Sequence, residues 1–347
     1  MAVRIGSPRS TYPLLTLMQT HTKINLSVIL FSTVVIIFIL VTTEVVMRKL
    51  DLPSFDACKM SPDYGATDPE LGFAPIPGSE VAGSILNELG LRGTALPTEK
   101  APDHFRILFL GDSTCWGLGV KIEDTFAAIT TRLIAEDNPD LKVEYLLGAF
   151  PGYSSYQSKI MLKKLFSMNP DLIVFFVGAN NDHVRARYFK DSDIPLRFAR
   201  QSASWHKIHL LRAIEGFTDT VCYKFLRHFK SRDARARVPI KEFHENMLEM
   251  VESTIKHEKQ AIILIPPYSN HSLRRHHTIP KYQECLETVS RELNVPSIKL
   301  QNIFQSHDEN IVYFTDFFHF REFGHKLTAN EINRIVAKEI VVKRSGF

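Results

Sequence analysis

Five short apolar runs, at residues 106–110, 143–147, 172–177, 261–265 and 297–300, constrain this chain more than any other feature. Each is rich in β-branched or aromatic residues and is followed by turn residues or a loop. Apolar residues then recur at helical spacing over 125–136, 156–166, 240–258, 280–293 and 322–342. Runs this short have the length of strands, and a strand apolar on both faces must be covered on both. Strands alternating with helices therefore predict an α/β fold, a parallel sheet with a helical layer on each side. Chemistry in such folds gathers at the carboxyl edge of the sheet. At 347 residues and 44% apolar content the chain can bury a full-sized core, and its composition excludes disordered, collagen-like and disulfide-rich classes.

Residues 24–43 carry no charge; Asn25, Ser27 and four further hydroxyl residues are their polar interruptions. Twenty helical residues span about 30 Å, the thickness of a bilayer core, so one N-terminal transmembrane helix is expected. A soluble core helix is seldom so long, and a cleavable signal peptide would have a shorter apolar run followed by a small-x-small site. Arg4, Arg9 and Lys23 precede the segment while Arg48, Lys49 and Lys59 follow it, which leaves the basic count tied. The first 23 residues contain no acid, so the expected topology is single-pass, with the N-terminus inside and the body extracytoplasmic. The expected plan is a tail at 1–23, the anchor at 24–43, a Pro- and Gly-rich stalk or wrapping segment at 51–103, and the body at 104–347.

One stretch of the body breaks the alternation. Residues 185–237 hold 13 Lys or Arg against five Asp or Glu, a balance of +8 in a chain whose total is +4. Within it Phe217, Val221, Phe225 and Phe229 recur every four residues among Lys224, Arg227 and Lys230, the pattern of a basic amphipathic helix. It reads either as a solvated basic face or as a lid meeting anionic headgroups or an acidic glycan. Nucleic acid is not expected as a partner.

The chemistry is suggested by Leu110-Gly111-Asp112-Ser113, directly behind the first run, and by Asp316 and His319, an Asp-x-x-His pair that begins 203 residues after that serine. A serine hydroxyl becomes a useful nucleophile when an imidazole takes its proton, and the imidazole needs a carboxylate to hold its tautomer. Ser113, His319 and Asp316 supply those roles. Acyl transfer also needs donors for the oxygen that becomes negative. Gly152, in Gly148-Ala149-Phe150-Pro151-Gly152, and Asn180, in Gly178-Ala179-Asn180-Asn181-Asp182, each follow a predicted strand; with the Ser113 N–H they would form the oxyanion hole.

These four blocks, in this order, resemble the SGNH (GDSL-type) hydrolases: Ser113 matches the nucleophile, Gly152 the second-block Gly, Asn180 the third-block Asn, and Asp316 with His319 the last block. The stretch from Leu71-Gly72-Phe73 through Asn87 to Gly93 is also similar to the lead-in of membrane-anchored bacterial members. The resemblance implies a flavodoxin-like three-layer α/β/α sandwich on five parallel strands. It also implies hydrolysis, or occasionally transfer, of acyl groups esterified to carbohydrate or lipid. Three departures stand out. Thr114 replaces a frequent Leu and is expected to affect packing only, Asn181 stands where Asp is usual, and Phe320 follows His319 where Pro is frequent. A carbohydrate esterase, a membrane-surface lipase or lysophospholipase, an O-acyltransferase and a non-catalytic binding protein all remain open, as does the oligomeric state. The last would be expected to lose one of the three residues.

Other polar residues have plainer readings. His325 is expected to be structural, Asp112 to brace the turn after the strand, and Cys115 to be a small buried apolar group. His271, His276 and His277 lack acidic or thiol companions at ligand spacing, and the four cysteines match no metal or redox pattern, so neither metal nor cofactor is expected.

Overall fold

The computed structural model describes residues 26–50, 65–184, 186, 190–201, 207–226, 236–275, 277–314, 316 and 318–339. Two compact units divide the chain, Met1–Phe55 with Trp205–Ile214, and Asp56–Ser204 with Glu215–Phe347. The first contains a long helix, α1 (Leu26–Lys49), none of whose residues is buried. By length and composition α1 is able to cross a membrane. It runs past the uncharged segment because Glu44 pairs with Arg48 one turn on, at 3.0 Å.

The second unit begins with two small antiparallel hairpins, β1 (Gly65–Asp68) with β2 (Gly72–Pro75), and β3 (Glu80–Val81) with β4 (Ser84–Ile85). Strands of two to four residues are too short to leave a period, which is why this region offered none. Leu71, Phe73, Val81, Leu86 and Leu91 nevertheless join the main core. The sheet follows: β5 (His104–Gly111), β6 (Lys142–Ala149), β7 (Leu172–Phe176), β8 (Gln260–Ile265) and β9 (Ser297–Lys299), each within two residues of its predicted run at both ends. All pair in parallel, in the order β6-β5-β7-β8-β9. Ile107, Leu108, Phe109 and Leu110 are wholly inaccessible, as a central strand buried on both faces requires.

In chain order the helices after α1 are α2 (Ser113–Trp116), α3 (Phe126–Asp137), α4 (Ser155–Leu165), α5 (Ile194–Gln201), α6 (His209–Leu226), α7 (Ile240–Lys256), α8 (Asn270–Arg275), α9 (Ile279–Leu293), α10 (Leu300–Phe304), α11 (Glu309–Val312) and α12 (Glu322–Glu339). The α3 and α12 helices pack together beside β6, while α4 packs on α7 and α7 on α9, with α7 and α9 against β8. The result is the expected flavodoxin-like arrangement. Its strand order reverses between β5 and β7, the switch point at whose carboxyl edge open α/β sheets place their sites.

A buried charge ties the opposite edge. The Arg106 guanidinium is fully buried and donates to Glu144 at 2.6 Å, to the Pro97 and Thr98 carbonyls, and to the Met168 carbonyl. A strand-interior Arg is tolerated only when so completely partnered.

Of the basic stretch, the described part contains α5 and α6. Phe217 is exposed on α6; the side chains of Val221, Lys224 and Phe225 are not described, and Arg227, Phe229 and Lys230 lie outside the described residues. Glu44 of α1 accepts from the His209 and Leu210 N–H groups at 3.0 and 2.8 Å, capping the start of α6.

Candidate active site

The edge of the sheet is level where the site lies, because Gly111 pairs with Ala149 on one side and Phe176 on the other. Ser113, Gly152 and Asn180 therefore follow three adjacent strand ends by two, three and four residues. Gly111 must be glycine, since a Cβ there would stand 2.4 Å from the Phe176 carbonyl and 2.6 Å from the Cys115 Cβ.

Asp112 turns the chain from β5 into α2. Its side chain accepts from the Thr114 N–H at 2.9 Å as an N-cap, and its second oxygen accepts from the Asn180 N–H at 3.0 Å, joining two strand ends through one carboxylate. Burial pushes that carboxyl above the usual range, against the pull of these hydrogen bonds and of His319. It braces, as expected. Ser113 opens α2 with 7% of its surface exposed. The buried Cys115 thiol is pushed well up by desolvation and by Asp112, leaving it an inert packing group at neutral pH.

His319 comes from the loop before α12. Asp316 folds this loop by accepting from the Phe318 and His319 N–H groups at 2.9 and 3.0 Å, while the Phe314 N–H reaches the His319 carbonyl at 2.9 Å. The second Asp316 oxygen lies 2.6 Å from His319 Nδ1, and His319 Nε2 lies 2.8 Å from Ser113 Oγ. With the Nδ1 proton directed at the carboxylate, Nε2 is left to accept from the serine. Burial would raise the Asp316 carboxyl, but the His319 ring and the two N–H groups outweigh it and hold it below the usual range. Phe320 secures the loop beneath, fully buried among Phe176, Phe304, Tyr313 and His325.

Asn180 is held by its neighbours, and here one expectation is corrected. Thr114 does more than pack: its hydroxyl accepts from Asn180 Nδ2 at 2.8 Å, which orients the amide and leaves its second hydrogen for another acceptor. The Tyr268 hydroxyl sits between the Gly178 and Ala179 carbonyls and steadies the same turn. Gly152 is held in the left-handed region, φ +90°, a conformation suited to glycine. Among the described residues neither the Ser113 nor the Gly152 N–H has an acceptor.

His325 is wholly buried. Its Nδ1 accepts from the Phe126 N–H at 3.2 Å, and burial pushes its pKa down to about 3, so it is a neutral packing group. No group of three potential ligands capable of holding a metal occurs among the described residues, which exclude His276.

Two features of the site left no trace in the pattern of residues. The buried Arg92 guanidinium donates to the Trp116, Gly117 and Val120 carbonyls at 2.8, 2.9 and 2.8 Å and lies 4.2 Å over the Trp116 ring, capping the far end of the helix that Ser113 opens. Arg237 reaches the Gly152 carbonyl at 2.9 Å. An arginine in a polar stretch reads as a surface charge, and only the fold reveals that these two are buried.

An α/β sheet with a serine, an imidazole and a carboxylate in file at its carboxyl edge is the frame of a serine hydrolase. The chain belongs to the GDSL-like Lipase/Acylhydrolase family, whose sequence pattern matches residues 109–327, and it is thereby an SGNH-type ester hydrolase. No curated protein matches it in sequence. Similar solved structures include the lipase/acylhydrolase from Enterococcus faecalis, at 19% identity and TM-score 0.47 over 69% of this chain and 98% of that one. An acetylxylan esterase from Geobacillus stearothermophilus is 16% identical, with TM-score 0.46 over 68% and 96%. An alpha/beta hydrolase from the metagenome of Lake Arreo, Spain, is 13% identical, with TM-score 0.46 over 69% and 97%.

Proposed function

We propose that the chain is a membrane-anchored serine esterase that removes acyl groups from carbohydrate or lipid through Ser113, His319 and Asp316. The observation that carries this reading is the unbroken file from Ser113 Oγ through the His319 ring to the Asp316 carboxylate, at 2.8 and 2.6 Å. His319 takes the hydroxyl proton as Ser113 Oγ attacks the ester carbonyl. The Ser113 N–H, the Gly152 N–H and the free hydrogen of the Asn180 amide receive the oxyanion. Collapse breaks the bond to the alcohol, which leaves with the proton from His319; water, deprotonated in turn by His319, releases the acid and restores Ser113. The proposed plan keeps α1 as a single-pass anchor with the body outside.

The full chain in detergent, assayed on esters from acetyl to palmitoyl with Ser113→Ala beside it, tests the reading. Hydrolysis lost in Ser113→Ala is the expected result; equal rates in both proteins would discard it. One observation favours a second reading, a lipase working at the membrane surface. Leu211, Ile214 and Phe217 are exposed at three-residue spacing along α6, whose start is capped from within α1. Rates that rise with chain length and with anionic micelles would select it, and a preference for acetyl esters without micelles would select the carbohydrate esterase.

A further inference from the structure

The loop carrying Gly152 is gripped at several points, mostly by side chains from elsewhere in the chain. Arg237 Nη1 donates to the Gly152 carbonyl at 2.9 Å and Asn181 Nδ2 to the Tyr153 carbonyl at 2.9 Å. The Ser154 hydroxyl lies 2.7 Å from both Asp191 Oδ2 and Gln157 Oε1, and the Ser154 and Ser155 N–H groups go to Gln157 and Asp182, both at 2.9 Å. Arg237 and Asp191 are themselves joined by two bonds, Nε to Oδ1 at 3.1 Å and Nη2 to Oδ2 at 2.7 Å, with side chains 10% and 2% exposed. The backbone adds a third tie, from the Asp191 N–H to the Arg237 carbonyl at 3.0 Å.

These residues bracket the basic stretch. Burying two charges is costly unless their geometry does something that apolar packing would not. Here one face of the guanidinium fork meets the carboxylate while its remaining nitrogen holds the carbonyl of a glycine at φ +90°. Fixing that carbonyl fixes the ψ of Gly152 and, with Asp191 restraining Ser154 two residues on, removes the rotation by which the loop would relax. A lysine has one point charge on a flexible stem, so it is able to meet Asp191 or the carbonyl but not to brace both in one plane.

We infer that Arg237, locked by Asp191, is a positioning residue that holds the Gly152 loop in the conformation that accepts the oxyanion. This rests on the proposed role of Gly152. Displacements of about 1 Å near a reacting centre cost roughly 100-fold, so Arg237→Lys should lose about 10- to 100-fold in kcat. Its KM should stay within about twofold, because ground-state ester binding does not use the oxyanion site.

The test compares wild type, Arg237→Lys, Ser154→Ala and Ser113→Ala for kcat, KM, inhibition by a reversible alkyl boronic acid, and thermal midpoint. The boronate forms a tetrahedral adduct whose oxygen occupies the same site. The inference expects boronate affinity to fall in Arg237→Lys by the same factor as kcat, with the pH profile of kcat/KM unmoved, and Ser154→Ala to show the same pattern more weakly. Unchanged kcat and boronate affinity in a folded Arg237→Lys would overturn it, as would equal losses in KM and kcat that track the midpoint. Should Arg237→Lys not fold, Asp191→Asn, which keeps the shape of the carboxylate but weakens its lock on Arg237, is read in its place by the same criteria. Ester hydrolysis that survives in Ser113→Ala would instead overturn the underlying reading, and the inference with it.

Discussion

The two sides of the site are built in opposite ways. Ser113 leaves a strand buried on both faces, and buried side chains brace its surroundings: the Asp112 carboxylate spans two strand ends, Thr114 takes the Asn180 amide, and Arg92 closes the end of α2. His319 rides instead on an open loop. Its Asp316 side chain is 47% exposed, and the loop is shaped by that residue's own turn and anchored by one ring, Phe320. The serine side is thus determined by tertiary structure and the histidine side by local chain chemistry. The first should respond to mutation as a unit, and the second should leave room for water to substitute.

Activity measurements break or sharpen this contrast most strongly. Ser113→Ala removes the proposed nucleophile and is expected to bring kcat to background, a loss on the order of a million-fold. Asp316→Ala should cost less, about 1,000- to 10,000-fold, because solvent at an exposed carboxylate retains part of the imidazole's orientation. Equal losses from both substitutions would erase the distinction. Asn180→Ala is expected to lower kcat about 100- to 1,000-fold at unchanged KM, and Thr114→Val, which frees the amide without deleting it, roughly threefold to tenfold. Steady-state kinetics on one activated ester ranks all four.

Arg92 probes the rigidity of the serine side through stability. Arg92→Met keeps the bulk but strips donors from the Trp116, Gly117 and Val120 carbonyls, and should cost about 3 kcal/mol in urea unfolding. A cost below about 1 kcal/mol would mean that water reaches those carbonyls.

What was readable from residue order follows the same division. The strands and the helices around them declared themselves through apolar period, and Asp112, Cys115 and His325 sit as their types and spacing suggested. Thr114 was misjudged because a hydroxyl in a core position looks like a packing substitution until its acceptor role is seen. Arg237 with Asp191 was illegible for a stronger reason. A buried ion pair has no period, and its two members lie 46 residues apart within a stretch whose excess of positive charge reads as solvated surface. The hairpins between Gly65 and Ile85 escaped because two to four residues do not make a pattern.

The smallest effect concerns Asp182, fully buried beside the Gly152 loop. Burial pushes its carboxyl up to about 7, against the opposing influence of the Ser155 hydrogen bonds and of Arg237, while Asp191 adds to the rise. A carboxyl whose folded pKa lies above its unfolded value of about 3.9 binds its proton more tightly in the native state. Its contribution is therefore full below about pH 4 and is lost as pH rises toward and through 7. The shift sets a ceiling of about 4 kcal/mol, which relaxation around the new charge should cut to roughly 2. Asp182→Asn keeps an acceptor for the Ser155 N–H and removes the titration, so the stability gap between wild type and variant should change in favour of the variant from pH 4 to pH 8. The buried neutral His325 works in the other direction, losing stability as pH falls below about 6.5, but it is common to both proteins and cancels in the difference. Parallel urea curves across that range would place the Asp182 charge in contact with solvent, and the loop that carries Gly152 would then be as open as the one that carries His319.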